Sequence, residues 1–144
     1  TLPISDEYIK YLRIAANNHN IKAMVEYGFF LIYGDMITIN YEEAIKYYKM
    51  AIEKGDSIAM NNYAFMLENG KVIPVNKEKA IKYYKMAIEK GNGASMFHYA
   101  EMLREGKGVE PSIDDAIQFY KLAIEHGEMR AKAPLLSLLD DNYE

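Results

Sequence analysis

Three histidines, His19, His98 and His126, are the side chains best suited to hold a metal or move a proton near neutral pH. A helical zinc site needs ligands spaced i, i+3 or i, i+4. No two of the three histidines stand at that spacing. There is no Cys, which excludes a disulfide framework, a thiolate zinc site and a cysteine nucleophile. Two carboxylate pairs, Glu42-Glu43 and Asp114-Asp115, could in principle share acid–base work. Such work needs an enclosed pocket that drives two pKa values apart, or a matched base. Both pairs instead open helical patterns, where negative charge suits the helix dipole. Asp140-Asp141 and Glu144 read as a solvated tail. No GxSxG, GxGxxG or P-loop pattern occurs. The expectation is a protein with no catalytic residue, no metal and no cofactor.

A basic–aromatic patch is the remaining chemical candidate. Lys46, Lys49, Lys54, Lys82, Lys85 and Lys90 interleave with tyrosines, a composition that could bind RNA. Glu53 and Glu89 offset them, and 17 basic against 21 acidic residues leave a net charge of −4. A nucleic-acid binder carries a basic face, so a solvated helix surface is the better reading. The longest apolar run, Tyr27 to Tyr33, falls far short of the ~20 residues that cross a bilayer. The opening TLPISDEYIK lacks the basic and apolar regions of a secretory signal. A cytoplasmic protein without membrane or nucleic-acid partners is expected. The chain opens on Thr1, which reads as a piece of a longer protein.

The elements that position these residues come from a repeat. Residues 44–55 read AIKYYKMAIEKG, residues 80–91 repeat that string, and residues 116–127 read AIQFYKLAIEHG, a period of 36 residues. Upstream, Ala23-Met24, Ala59-Met60 and Ser95-Met96 keep the same offset. Three units, 21–56, 57–92 and 93–128, are flanked by half-units 1–20 and 129–144 in a single repeat domain, 1–144. Each unit reads as two helices. In the second, Ala44, Tyr47, Tyr48 and Ala51 share one helical face. Asn40 with Glu43 resembles a capping box, and Gly55, Gly91 and Gly127 stand where a left-handed C-cap wants Gly. In the first, Met24, Tyr27, Gly28 and Leu31 recur as Met60, Tyr63, Ala64, Leu67 and as Met96, Tyr99, Ala100, Leu103. The small residues at 28, 64 and 100 permit close helix approach. Helices are expected over about 5–18, 22–34, 41–54, 57–69, 77–90, 93–105, 113–126 and 130–141, with no strand. One helical pair cannot bury both its apolar stripes, and stacking neighbours does, so the fold class is an all-α solenoid.

The period exceeds a standard tetratricopeptide unit by two residues, both in the loop between the helices. Residues 106–109 (GKGV), Asp115-Ala116, Phe119-Tyr120, Ala123 and Gly127 make the chain resemble the Sel-one-like repeat family. Tyr47-Tyr48 and Tyr83-Tyr84 occupy that family's Trp-Tyr place, and Lys79-Ala80 keeps its Lys-Ala pair. Met36 and Val72 replace the second loop Gly, so those two loops should take a different backbone. Ile52, Ile88 and Ile124 stand where the family has a second Ala. The resemblance implies a right-handed superhelix, a protein-binding scaffold and no catalytic residue.

Units of one chain can be compared with one another. Positions that recur are what stacking requires; positions that differ are free for something else. The variable stripe of the first helices contains Val25, Phe29, Ile32 and Tyr33 in unit one. In unit two it contains Asn61, Phe65 and Glu68, and in unit three Phe97, Glu101 and Arg104. By the resemblance it would line a concave groove. A merely solvated face should be polar, yet much of this one is apolar, so it is the candidate groove for a partner peptide or helix. The competing readings are a spacer or self-assembling segment of a longer solenoid, and a hydrolase on the same scaffold. His98, at the register of Glu26 and Asn62, is expected to face solvent. The last helix is expected to begin near Ala131, with Leu135, Leu136 and Leu139 packing and Leu138 widening an outer apolar face. A weak homodimer through this C-terminal helix follows from that reading.

Overall fold

The computed structural model describes residues 5–34 and 37–143, with side chains through residue 141. Its helices are α1 (Asp6–Asn17), α2 (Ile21–Tyr33), α3 (Tyr41–Glu53), α4 (Ser57–Asn69), α5 (Lys77–Glu89), α6 (Gly93–Glu105), α7 (Ile113–Glu125) and α8 (Lys132–Tyr143). A short 3-10 turn, Met129–Ala131, precedes α8. No strand occurs among the described residues. The chain divides into two compact units, Thr1–Ala59 and Met60–Glu144, with the division inside α4.

The recurring residues are the core. Ala44, Ala51, Ala80, Ala87, Ala116 and Ala123 are wholly buried, and so are Tyr84 and Tyr120. Their spacing puts them on one face of each second helix. Met24, Met60 and Met96, with Leu31, Leu67 and Leu103, form the matching buried stripe of the first helices. The two helices of each pair meet through an edge-to-face ring contact. Tyr27 meets Tyr47 at 5.3 Å, Tyr63 meets Tyr83 at 5.1 Å, and Tyr99 meets Phe119 at 4.9 Å between centroids. Such pairs contribute about 0.5–1.5 kcal/mol beyond the area they bury. Beside this contact, a Cβ added at Gly28 would lie 2.9 Å from the Tyr48 ring.

Helix ends are satisfied locally and in register. The side-chain oxygens of Ser5, Asn20, Asn40, Asp56, Asn76, Asn92 and Ser112 each accept the amide three residues on, at 2.8–3.2 Å. Each such cap contributes about 1 kcal/mol. The amides of Asn40, Asn76 and Ser112 in turn donate to the carbonyls of Leu31, Leu67 and Leu103, closing the loop inside each unit. Gly55, Gly91 and Gly127 end the second helices at φ 84, 82 and 85°. His19 takes their place after α1 at φ 68°, a left-handed conformation that costs a side-chain-bearing residue about 1–2 kcal/mol.

The loops within the units diverge as their sequences imply. Gly106 and Gly108 both have positive φ, Gly70 does at its single glycine, and Gly34 stays extended. Met36 lies outside the described residues.

The C-terminal end corrects one expectation. Leu138 is not on the outer face: it is 9% exposed, as is Leu135, whereas Leu136, expected to pack, is 61% exposed. The cause is the entry into the helix. Glu128 stands where Asn92 caps α6 but makes no cap; its carboxylate grips Arg130 instead. A 3-10 turn with tighter winding follows, and α8 starts at Lys132, one residue later than the expected start. Pro134 then falls in the first turn, where its missing N–H has no helical acceptor to lose.

Candidate functional site

The groups that could have done chemistry are placed on helix ends. Glu42 and Glu43 lie in the first turn of α3, where the Asn40 amide donates to Glu43 at 3.3 Å and Asn40 caps the helix. Asp114 and Asp115 lie in the first turn of α7 behind the Ser112 cap. His126 ends α7, its Nδ1 3.0 Å from the Leu122 carbonyl oxygen. Among the described residues no group of three His, Asp or Glu side chains could hold a metal ion.

The variable stripe divides by angle. At about 100° per residue, positions 25 and 32 lie 80–100° round from Met24, whereas 29 and 33 lie 140–180° round. The structure buries Val25 (8% exposed) and Ile32 (5%), so neither is available as a lining contact; both join the packing. Phe29 and Tyr33 stay outside at 46% and 52% exposed, their rings 4.9 Å apart across one helical turn. In the first compact unit the free face is therefore an aromatic pair.

In the second unit most of the same positions carry polar groups held by specific partners. Asn61 accepts the hydroxyl of the buried Ser95 at 2.9 Å. Phe65 is 37% exposed, 5.2 Å from the His98 ring. Glu68, one turn on from Phe65, is half-buried and accepts the Tyr84 hydroxyl at 2.6 Å. Burial pushes the Glu68 carboxyl up, against the pull of that hydrogen bond and of Lys107 and Lys77. Burial together with Glu68 pushes the Tyr84 hydroxyl up as well, so it stays protonated. On α6, Glu101 accepts the Tyr120 hydroxyl and pairs with Arg104 at 2.9 Å. Arg104 also reaches Glu105 at 3.2 Å, and Glu105 takes Lys107 at 2.6 Å.

Two features escape a reading of the sequence. His98 does not face solvent. It is half-buried, stacked on Tyr84 at 5.4 Å, and flanked by Phe65 and Phe97. Burial, with help from Arg130, lowers its pKa to about 4, so the ring is neutral at pH 7. Its register mates Glu26 and Asn62, both polar, gave no sign of this. Second, Arg130 lies 4.8 Å over the Phe97 ring while Glu128 holds its guanidinium through two hydrogen bonds of 2.7 and 3.0 Å. The first unit also has an open cleft of about 450 Å³, which Ile9, Lys10 and Arg13 of α1 line with Tyr27, Leu31 and Glu43.

A family model for the Sel1 repeat matches residues 21–56, 57–92 and 93–128. Among solved structures, the chain is similar to a Sel1 repeat protein from Oxalobacter formigenes, with 26% identity and a TM-score of 0.82. That likeness covers 90% of this chain and 53% of the other, so the chain spans about half that protein's length. It is also similar to c5321, a protective antigen present in uropathogenic Escherichia coli strains displaying an SLR fold (24% identity, TM-score 0.81, 89% and 28% covered). Cysteine rich protein B of Helicobacter pylori shares the fold at 22% identity and a TM-score of 0.71, over 88% of this chain and 96% of that one. No curated protein matches in sequence.

Proposed function

The chain belongs to the Sel1-repeat family, a class of helical solenoids that generally serve as protein–protein interaction scaffolds, and from that premise we propose that it binds a partner peptide or helix on the variable faces of its first helices. One observation carries the reading. The apolar stripes that recur in all three units, such as Ala44, Met24 and Leu31, are buried, while Phe29, Tyr33 and Phe65 are large apolar side chains left exposed off those stripes. Exposed aromatics at non-packing positions mark interfaces more often than idle surface. The apolar anchors are Phe29 and Tyr33 in the first unit and Phe65 and Phe97 in the second. Glu68, Glu101 and Arg104 supply charge selection, and Asn61 acts by fixing Ser95 on α6. Val25 and Ile32 support the face from beneath.

Affinity capture with the chain as bait, against a Phe29→Ala/Phe65→Ala double variant of equal helical content, tests the proposal. The specific partner should be lost from the variant, each side chain contributing about 1–3 kcal/mol. Equal capture by both would end the reading. The enzyme alternative needs a nucleophile and base, and no such constellation stands out among the described residues. Self-assembly has one observation in its favour: Leu136 and Met129 are exposed at the C-terminal end. Light scattering over a concentration series tests a weak homodimer there. Leu136→Lys should abolish any concentration dependence, whereas a strict monomer at high concentration rejects it.

A further inference from the structure

Three of the carboxylates on the variable face of the second unit and its margin differ in what they hold. Glu101 holds Arg104, and Glu128 holds Arg130. Glu68 has no ion-pair partner among the described residues. Its Oε2 accepts the Tyr84 hydroxyl. Lys107 is spent on Glu105 at 2.6 Å, and although Lys107 and Lys77 both draw the Glu68 pKa down, burial outweighs them. The neighbouring His98 ring brings no positive charge at pH 7.

A half-buried carboxylate without a cation is an incomplete arrangement, because burial penalises its charged form. The same unit shows what completes it. At Phe97 a guanidinium lies over the ring and a carboxylate grips it in a fork, the geometry that suits arginine. Phe65 and Glu68 supply the ring and the carboxylate of that arrangement on one face of α4, three residues apart. In register, Phe65 and Glu68 correspond to Glu101 and Arg104: where α6 brings its own arginine, α4 offers an acceptor.

We propose that Phe65 and Glu68, with Tyr84 holding the carboxylate in place, form a socket for an arginine side chain of the partner, so that the segment bound at this face is basic. The inference rests on the interaction reading above and adds the chemistry of the partner. The chain's net charge of −4 acts in the same direction, drawing a basic segment in.

The test is an amide-resolved NMR titration of the whole chain with three short peptides, acetyl-Leu-Arg-Leu-amide and its lysine and citrulline counterparts. Citrulline keeps arginine's shape and removes its charge. The arginine peptide should shift the amides around Phe65, Glu68 and Tyr84 and bind about 5–10-fold tighter than the citrulline peptide, with lysine between them. Glu68→Gln, which keeps an acceptor for the Tyr84 hydroxyl, should erase that preference. Phe65→Leu, which keeps an apolar side chain and removes the ring, should weaken the arginine peptide alone. Equal binding of arginine and citrulline peptides at Phe65 overturns the arginine socket and leaves the interaction face standing. Shifts centred elsewhere, or none, overturn the socket too, while the capture experiment still judges the face. A preference that survives Glu68→Gln assigns the charge reading to another residue and overturns it as well.

Discussion

After its packing stripe, α2 carries Phe29, Ile32 and Tyr33; at the same register positions α6 carries Glu101, Arg104 and Glu105. The buried residues around them are nearly identical. Met24 and Met96, Tyr27 and Tyr99, and Leu31 and Leu103 are all at most 7% exposed. One helix thus presents an aromatic pair and the other an ion-pair network on the same scaffold. What is shared sets stability, and what differs sets chemistry. Changes at shared buried positions should therefore unfold the protein, and changes at divergent ones should alter binding or pH response with little cost to the fold.

The largest effect is expected at a shared position. Tyr84→Ala removes a wholly buried ring and strips Glu68 of its donor, and should cost about 3 kcal/mol or more. Lys85→Ala, on the exposed side of the same helix, should cost under about 0.5 kcal/mol. Denaturation midpoints that coincide for the two would mean the shared positions are not what holds the units together.

His98 sharpens the contrast through pH. Its folded pKa is lowered to about 4, chiefly by burial and then by Arg130, while the unfolded ring titrates near 6.5. The unfolded state therefore takes up a proton first as pH falls. Stability should decline between pH 6.5 and 4, by at most about 3 kcal/mol from this group. His98→Asn, which installs the residue found at that register in α4, should remove this part of the slope. Urea midpoints from pH 7.5 to 4.5 for both proteins check it, and parallel slopes would show that the ring does not resist protonation.

Phe29→Ala probes the divergent face directly. With nearly half the ring already exposed, its loss should cost no more than about 1 kcal/mol of stability. A thermal shift as large as that of Tyr84→Ala would make Phe29 part of the core and remove the aromatic pair from the free face.

The smallest effect is expected at His19, and it is a gain. Gly stands at the equivalent sites 55, 91 and 127, each at positive φ. His19→Gly should relieve the left-handed strain and raise stability by about 0.5–1 kcal/mol, after the added chain entropy of Gly is deducted. No gain in the melting temperature would indicate that the exposed ring compensates locally.

The elements were readable in the sequence because each is written three times. Recurrence of apolar residues at 36 residues picks out packing residues without knowing a single contact, and Ala44, Tyr84 and Leu103 follow from it directly. The candidate face was only half readable. Val25 and Ile32 vary between units as freely as Phe29 does, yet they fall on the near edge of the stripe, where the buried arc of the helix extends past the recurring residues. Variation reports freedom of side-chain type and not freedom from contact. His98 shows the opposite limit: its niche is made by Phe65, Tyr84 and Phe97 from three helices, a conjunction no single register position can reveal. Leu136 and Leu138 exchanged places because the 3-10 turn shifts the helical phase, and the missing cap at Glu128 was its only trace in the sequence.

The local capping of helix ends has a consequence for how such a chain can change length. A block running from Asn20 to Gly55, Asp56 to Gly91, or Asn92 to Gly127 begins with the side chain that accepts an amide of its own first turn and ends with the residue that lets the backbone turn. A duplication or deletion cut at these joints keeps each cap with the amide it accepts and demands no new turn. In genetic terms the joints are reading boundaries: recombination in frame at 36-residue steps there yields grammatical chains. The unit of inheritance and the unit of backbone satisfaction coincide.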